Sequence, residues 1–161
     1  MKRRWSRSCV TVLASLVFAG CATPPRPTEN SDYWSGRIAL QTEEDPPGSF
    51  SALFELEGSE AQGALTLLTP IGTSIGKLQW APGKASLQTG SETRESESLD
   101  RLVQQVTGTT VPVNALFGWL KGTQTLATGW TADLSAASEG RITAYRYSPE
   151  PKATLRIAIT Q

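Results

Sequence analysis

The sequence predicts a mainly β domain with a helical insert, arranged as a curved antiparallel sheet. Apolar and polar residues alternate in several short segments before and after the middle of the chain, as in half-buried strands. A helical period of apolar residues occurs only between these two groups of segments. Strands and helices do not alternate one by one, so a parallel α/β fold is excluded, and two short helices would pack on the concave face of the sheet.

The first 20 residues have the pattern of a lipoprotein signal peptide. Four basic residues and no acidic ones lie within the first seven positions, and a short apolar segment follows at 9–19. That segment is shorter than the roughly 20 residues of a transmembrane helix. The ending Phe18-Ala19-Gly20-Cys21 resembles a lipobox, which implies cleavage after residue 20 and lipidation of Cys21. The alternative is an ordinary signal followed by a free cysteine, a liability in an oxidising compartment.

Residues 21–31 are expected to be the lipidated N-terminus and a flexible tether, since proline and polar residues dominate and no apolar period is present. Two acyl chains on Cys21 would give a stable membrane anchor. Ala22 follows the cysteine, where lipoproteins of the inner membrane typically have aspartate. We therefore expect the chain to be anchored in the outer membrane and to face the periplasm.

Residues 21–161 contain 11 basic and 15 acidic side chains, a net charge of −4. This charge argues against nucleic acid as a partner. The chain has no histidine, and lipidation of Cys21 would leave the mature domain without a free thiol. We therefore expect no disulfide, no metal site and no cofactor.

The folded domain is expected over residues 32–161. Strands are predicted at 34–40, at 50–57, at 63–69 and 74–80 as a hairpin, and at 85–89. The charged segment 92–97 is predicted to be a solvated loop that leads into a helix.

Two helices are predicted next. Leu99, Leu102, Val103 and Val106 share one helical face, with a cap at Ser96 or Ser98 and a final glycine at Gly108. The second helix follows Pro112 and ends at Gly122, and its apolar stripe consists of Val113, Leu116, Phe117 and Leu120. Strands are then predicted at 126–134, 141–147 and 154–159.

Two enzyme motifs overlap at Ser74, but neither is accompanied by the structural elements and partner residues that its chemistry requires. Residues 72–76 match G-x-S-x-G, which requires a strand-to-helix turn and a histidine base. Residues 74–77 match S-x-x-K, which requires a helical turn and the partner motifs S-D-N and K-T-G, and both motifs are missing. We therefore expect Ser74 not to be a nucleophile and the protein not to be an enzyme.

Three stretches carry a family resemblance. Residues 34–40 have a W-x-G-R-hydrophobic pattern, residues 67–72 form a strand that ends in T-P-I-G, and residues 106–122 contain a V-x-G segment followed by V-P-V-x-x-L-x-x-W-L-x-G. Together they resemble the outer-membrane lipoprotein receptor family LolB. The C-terminal third departs from the family pattern because it is shorter, so the resemblance leaves the number of final strands open.

The resemblance implies an incomplete, unclosed antiparallel β-barrel with a helical plug, like LolA and LolB, and an apolar interior that binds acyl chains. Such a receptor accepts lipoproteins from the periplasmic carrier LolA and inserts them into the inner leaflet of the outer membrane. It would act as a monomer and without nucleotide hydrolysis. The alternative hypothesis is a structural or assembly lipoprotein that binds a protein partner and holds no lipid.

The resemblance also assigns functions to residues. Pro70, Ile71 and Gly72 would form a membrane-insertion loop, and a tip folded back on the core is the alternative for Ile71. Apolar side chains on three strands and the second helix are candidates for the acyl cavity, although each could equally be core. These candidates are Phe50, Phe54, Leu65, Leu67, Leu78, Trp80, Leu116, Phe117 and Leu120. Trp34 and Trp119 are expected to be structural anchors.

Overall fold

A computed structural model describes residues 32–160, so the predicted signal peptide, Cys21 and the tether lie outside the described residues. The strands before the helices are β1 (Asp32–Thr42), β2 (Gly48–Gly58), β3 (Gly63–Leu68), β4 (Ser74–Ala81), β5 (Lys84–Thr89) and β6 (Glu92–Ser96). The remaining elements are α1 (Leu99–Thr107), α2 (Val113–Leu120), β7 (Trp130–Asp133), a 3₁₀ turn (Ala137–Glu139), β8 (Arg141–Arg146) and β9 (Ala153–Ile159).

All strands in this range form one antiparallel sheet with the order β6-β5-β4-β3-β2-β1-β9-β8-β7. β1 lies at the centre and pairs along its whole length with β2, while β9 pairs with its second half. β6 and β7 form opposite edges and do not pair with each other, so the barrel is not closed. The structure confirms the predicted fold class, with both helices inserted between β6 and β7 in the sequence.

The pairing of β1 with β9 explains why position 36 of the W-x-G-R motif is a glycine. A Cβ atom at Gly36 would collide with the backbone carbonyl oxygen of Ala158 on β9. Glycine therefore allows the two strands to approach closely at this point. The neighbouring residues Ile38 and Leu40 alternate inward from β1 and are buried in the core.

α1 is an amphipathic helix that packs over β4 and β5. It begins after Ser98, whose hydroxyl accepts a hydrogen bond from the Arg101 backbone N–H at 3.5 Å, and it ends at Gly108, whose φ of 79° favours glycine. Leu102 and Val103 form its buried face. Both predicted ends of this helix are confirmed, with Ser98 rather than Ser96 as the capping residue.

α2 is buried on nearly all sides, because six of its eight residues belong to the core. The Phe117 ring lies edge-on to Trp34 and Trp80, with ring centroids 5.8 and 6.1 Å apart. Within residues 32–160, no helix is long and apolar enough to cross a membrane.

Two elements differ from the sequence-based expectation. The segment predicted as a solvated loop at 92–97 is largely strand β6, which pairs with β5 through its backbone while its side chains are mostly exposed. The strand predicted at 126–134 is shorter and begins at Trp130. Leu126 instead lies in the connection after α2 and is 97% exposed.

Candidate functional site

A small apolar cavity lies between the inner face of the sheet and the two helices. Its volume is about 20 Å³, which is enough for about one water molecule. Thr107 contributes the only hydroxyl among its lining residues, and that hydroxyl has the backbone oxygens of Val103 and Thr109 at 3.0 and 2.7 Å as acceptors for its single hydrogen. The lining consists of Ile38, Leu40, Phe50, Leu65, Leu67, Val103, Thr107, Val111, Val113, Leu116 and Leu155.

Four of the nine candidates predicted for the acyl cavity line this space. They are Phe50, Leu65 and Leu67 on the sheet and Leu116 on α2. The other five are buried in the surrounding core rather than in the cavity wall, namely Phe54, Leu78, Trp80, Phe117 and Leu120. Phe50 is the most accessible of the four, because it is only partly buried.

Apart from Val113 on α2, the remaining lining residues come from parts of the chain that contributed no candidate. Ile38, Leu40 and Leu155 face inward from β1 and β9, and their register places Leu40 directly opposite Leu155. The alternation of apolar and polar residues along those two strands could have indicated that these side chains face inward. Val111 lies in the connection between α1 and α2, which has no strand or helix period, whereas Val113 belongs to the apolar stripe predicted for α2 but was not among the cavity candidates.

Polar contacts fix α2 to the sheet at both of its ends. At its C-terminal end, Lys121 Nζ lies 2.5 Å from Asp32 Oδ2 and 5.9 Å from the centre of the Trp34 ring. At its N-terminal end, the connection to α1 is held by Arg146, the last residue of β8. Polar contacts therefore attach the C-terminal end of α2 to β1, and the connection between α1 and α2 to β8.

Arg146 is 4% exposed, and each of its three guanidinium nitrogens donates at least one hydrogen bond. Nη1 donates to the hydroxyls of Thr109 and Thr110 at 2.5 and 3.1 Å. Nε and Nη2 both donate to the backbone oxygen of Pro151, at 2.9 and 2.6 Å. Burial lowers the pKa of Arg146, and the carboxylates of Glu44 and Glu150 act in the opposite direction.

The predicted insertion loop is the tip of the β3–β4 hairpin. The Gly72 N–H donates to the Thr69 carbonyl at 2.8 Å, which closes a turn with Pro70 and Ile71 at its centre, and Gly72 has a φ of 84°. The Thr73 N–H donates to the Thr69 hydroxyl at 3.1 Å. Ile71 projects from this braced turn and is 89% exposed, so the tip is not folded back on the core.

A larger depression of about 570 Å³ follows the β1–β2 loop, where Glu43 and Glu44 are among its lining residues. It is open to solvent and most of its lining residues are polar, two of them acidic, so its chemistry does not suit acyl chains. The small internal cavity, by contrast, is lined almost entirely by apolar side chains.

The Ser74 motifs lack the geometry for catalysis. Ser74 and Lys77 both lie on β4, three residues apart, and therefore on opposite faces of the strand. In the part of the chain that the structure describes, no three histidine, cysteine or acidic residues come together as a possible metal site.

Comparison with known proteins gives a consistent result. Residues 33–155 match the family model described as outer membrane lipoprotein LolB. A relative from Shewanella baltica (strain OS155), named outer-membrane lipoprotein LolB, is 31% identical over 127 residues, which cover 71% of this chain and 58% of the relative. A LolB from Alkalilimnicola ehrlichii is 33% identical over 136 residues, which cover 74% of this chain and 66% of the relative.

The chain thus spans 58% of the length of the Shewanella baltica relative. A LolB from Bordetella pertussis is 30% identical over an alignment of 188 positions, which covers 98% of this chain and 94% of that protein. These descriptions confirm the sequence-based resemblance and the predicted location at the outer membrane. The chain belongs to the outer membrane lipoprotein LolB family.

Proposed function

We propose that this protein is an outer-membrane receptor that accepts lipoproteins from the periplasmic carrier LolA and inserts them into the inner leaflet of the outer membrane. Lipidated Cys21 would anchor it, and residues 21–31 would tether the folded domain as a monomer on the periplasmic side. The cargo groups that it binds are the acyl chains of lipoproteins.

The observation that carries this proposal is the apolar cavity enclosed between the unclosed sheet and two helices. Its walls offer no unpaired polar group to a ligand, as a hydrocarbon requires. At about 20 Å³ the cavity is far smaller than an acyl chain, so the helices must move away from the sheet when cargo enters.

This movement explains how a receptor can release cargo without nucleotide hydrolysis. Each acyl methylene that leaves water is stabilised by ~0.8 kcal/mol, whether it enters a protein or a bilayer. In the receptor, part of that gain is offset by the lost packing of residues such as Val113 and Leu116 against the sheet. Acyl chains are therefore held less tightly here than in the bilayer, and transfer proceeds toward the membrane.

Ile71 is proposed as the residue that contacts the bilayer during release. It is an exposed β-branched apolar side chain at the tip of a hairpin whose adjacent residues carry no charge. Inserting it into the acyl boundary would remove an apolar surface from water, and the hydrogen bonds of the turn would keep it extended.

We propose no catalytic step and no cofactor for this function. The alternative of an assembly lipoprotein that holds no lipid is not favoured by the family membership.

The test uses the mature chain with Cys21→Ala, which removes its own acyl groups. We expect this chain to bind a fluorescent fatty-acyl probe and to take a labelled lipoprotein from loaded LolA, with the two proteins separated by affinity capture. A well-folded chain that neither binds the probe nor removes cargo from the carrier would reject the receptor proposal.

A further inference from the structure

Arg146 is the only charged residue that is buried among residues 32–160. The hydrogen bonds of its guanidinium join two parts of the chain that are otherwise separate. On one side it holds Thr109 and Thr110 in the connection between α1 and α2, and on the other it holds Pro151 in the β8–β9 loop. The side chain therefore ties the corner between the helices to the rim of the sheet.

This corner lies at the edge of the apolar cavity. Thr107, Val111 and Val113 all line the cavity, and they flank the threonines that Arg146 holds. The far end of α2 is held separately, because Trp119 is fully buried there and donates to the Thr125 oxygen, and Lys121 pairs with Asp32 at the surface. If the corner is released, α2 can turn about that far end and uncover the cavity without leaving the sheet.

The chemistry of the partners makes the attachment reversible. Arg146 is held by hydroxyl and carbonyl oxygens and lies 5.9 Å from the centre of the Trp130 ring, and among the described residues no carboxylate lies within ion-pair distance of it. A buried ion pair would be costly to break, because it would leave an uncompensated charge. Here Glu44 and Glu150 are exposed carboxylates that influence Arg146 through space, and they can compensate its charge once the corner lifts.

We propose that Arg146 gates the cavity, and that acyl chains enter beneath the corner formed by residues 108–112. In the closed state its guanidinium holds Thr109 and Thr110. In the open state those hydroxyls are released, and the guanidinium turns toward water and the carboxylates of Glu44 and Glu150. The identity of the ligand rests on the proposed function, whereas the opening of the corner does not.

The test removes the hydroxyl acceptors and keeps Arg146 unchanged. Thr109→Val with Thr110→Val preserves side-chain shape in the chain with Cys21→Ala. We expect a fluorescent fatty-acyl probe to associate about tenfold faster for each of the two hydrogen bonds that the substitutions remove. A tenfold change corresponds to about 1.4 kcal/mol. Thr123→Val is the matched control, since this exposed threonine follows the far end of α2 and its hydroxyl makes no contact with Arg146.

Amide hydrogen exchange supplies a second readout that does not depend on any ligand. Exchange in residues 109–116 should accelerate in the double variant, while exchange in β1, β2 and β9 stays as in the parent. If the variant is folded and exchange in residues 109–116 is unchanged, Arg146 is not a gate. If exchange accelerates but parent and variant bind no probe, the gate is supported and the receptor proposal fails. If probe binding occurs in both at the same rate, acyl chains enter elsewhere and the proposed route is wrong.

Discussion

The indole Nε1 of Trp119 donates a hydrogen bond of 3.0 Å to the backbone oxygen of Thr125. Trp119 is completely buried in the last turn of α2, and its ring lies 6.5 Å from that of Trp130 at the start of β7. One side chain thus joins the helix, the connection that follows it and the last part of the sheet. The Thr125 side chain also fills the space that a Cβ atom at Gly118 would occupy, so this connection packs directly on α2.

We expect Trp119→Phe to lower the free energy of unfolding by about 1–3 kcal/mol, because the partly buried Thr125 oxygen loses its donor and a smaller ring leaves a gap in the core. For a domain of this size that corresponds to a fall in Tm of roughly 4–11 °C, measurable by circular dichroism. Trp34→Phe is the control, because Trp34 is only partly buried and its indole N–H has no hydrogen bond within the described residues. An equal loss in both variants would contradict the structural role of the hydrogen bond.

The lipid anchor is tested at Cys21, which lies outside the described residues. We expect Cys21→Ala to abolish labelling with a radioactive fatty acid and to leave a soluble or uncleaved chain, because the thiol is the attachment point. Mass spectrometry of the mature wild-type chain should show a modified cysteine at its first position. An unmodified Cys21, or a mature chain that starts elsewhere, would show that the lipobox interpretation is wrong.

Ile71→Glu should separate cargo acceptance from cargo delivery. Because Ile71 is 89% exposed, the substitution should change the free energy of unfolding by no more than about 0.5 kcal/mol. The variant should still accept lipoprotein from the carrier but fail to pass it into liposomes, since a carboxylate resists the acyl region of the bilayer. A two-step transfer assay with thermal melting measures both properties.

Leu126→Glu is the matched control for this variant. Leu126 is as exposed as Ile71 but lies in the connection after α2, outside the hairpin. It should accept and deliver cargo normally, and Ile71→Leu should also deliver. Delivery by Ile71→Glu at the wild-type rate would show that the hairpin tip does not insert.

Val111→Ile tests whether the cavity is used. One additional methyl group occupies most of the roughly 20 Å³ present, so stability should change by only about 0.8 kcal/mol or less. Binding of the fatty-acyl probe should weaken, because the added carbon occupies space that the ligand needs. Val106→Ile on α1 makes the same chemical change outside the cavity lining, and its probe affinity should equal that of the parent. Equal affinities in all three chains would place the acyl site elsewhere.

The sequence was sufficient for most of the fold because the strands and α1 carry periodic patterns that depend on burial. β6 could not be recognised in this way. Its five residues bury almost no side-chain surface, so the only interaction that makes it a strand is backbone pairing with β5. The shortened β7 has a similar cause, since Leu126 supports an apolar period in the sequence but points into solvent.

The candidate site was only partly predictable. Phe50, Leu65, Leu67 and Leu116 line the cavity, whereas Phe54, on the same strand as Phe50, and Leu78, on β4, are core. The strand residues of both groups face inward with the same period of two. Whether such a residue lines the cavity or packs in the core depends on where the helices leave a gap against the sheet. The position of Arg146 depends on a contact between residues separated by 37 positions, and no local pattern indicates such a contact.

An unclosed barrel leaves two free strand edges, and proteins anchored side by side in one membrane meet each other often. Free edges of this kind can add a strand from a neighbouring copy and begin aggregation. Here β6 carries the charged side chains of Glu92, Arg94 and Glu95, and charged side chains on an edge strand disfavour the addition of a further strand. The other edge is short, and the Gln124 side chain already donates to the Ala132 oxygen of β7 at 3.2 Å. The barrel can therefore remain unclosed without becoming a site of polymerisation on a crowded membrane surface.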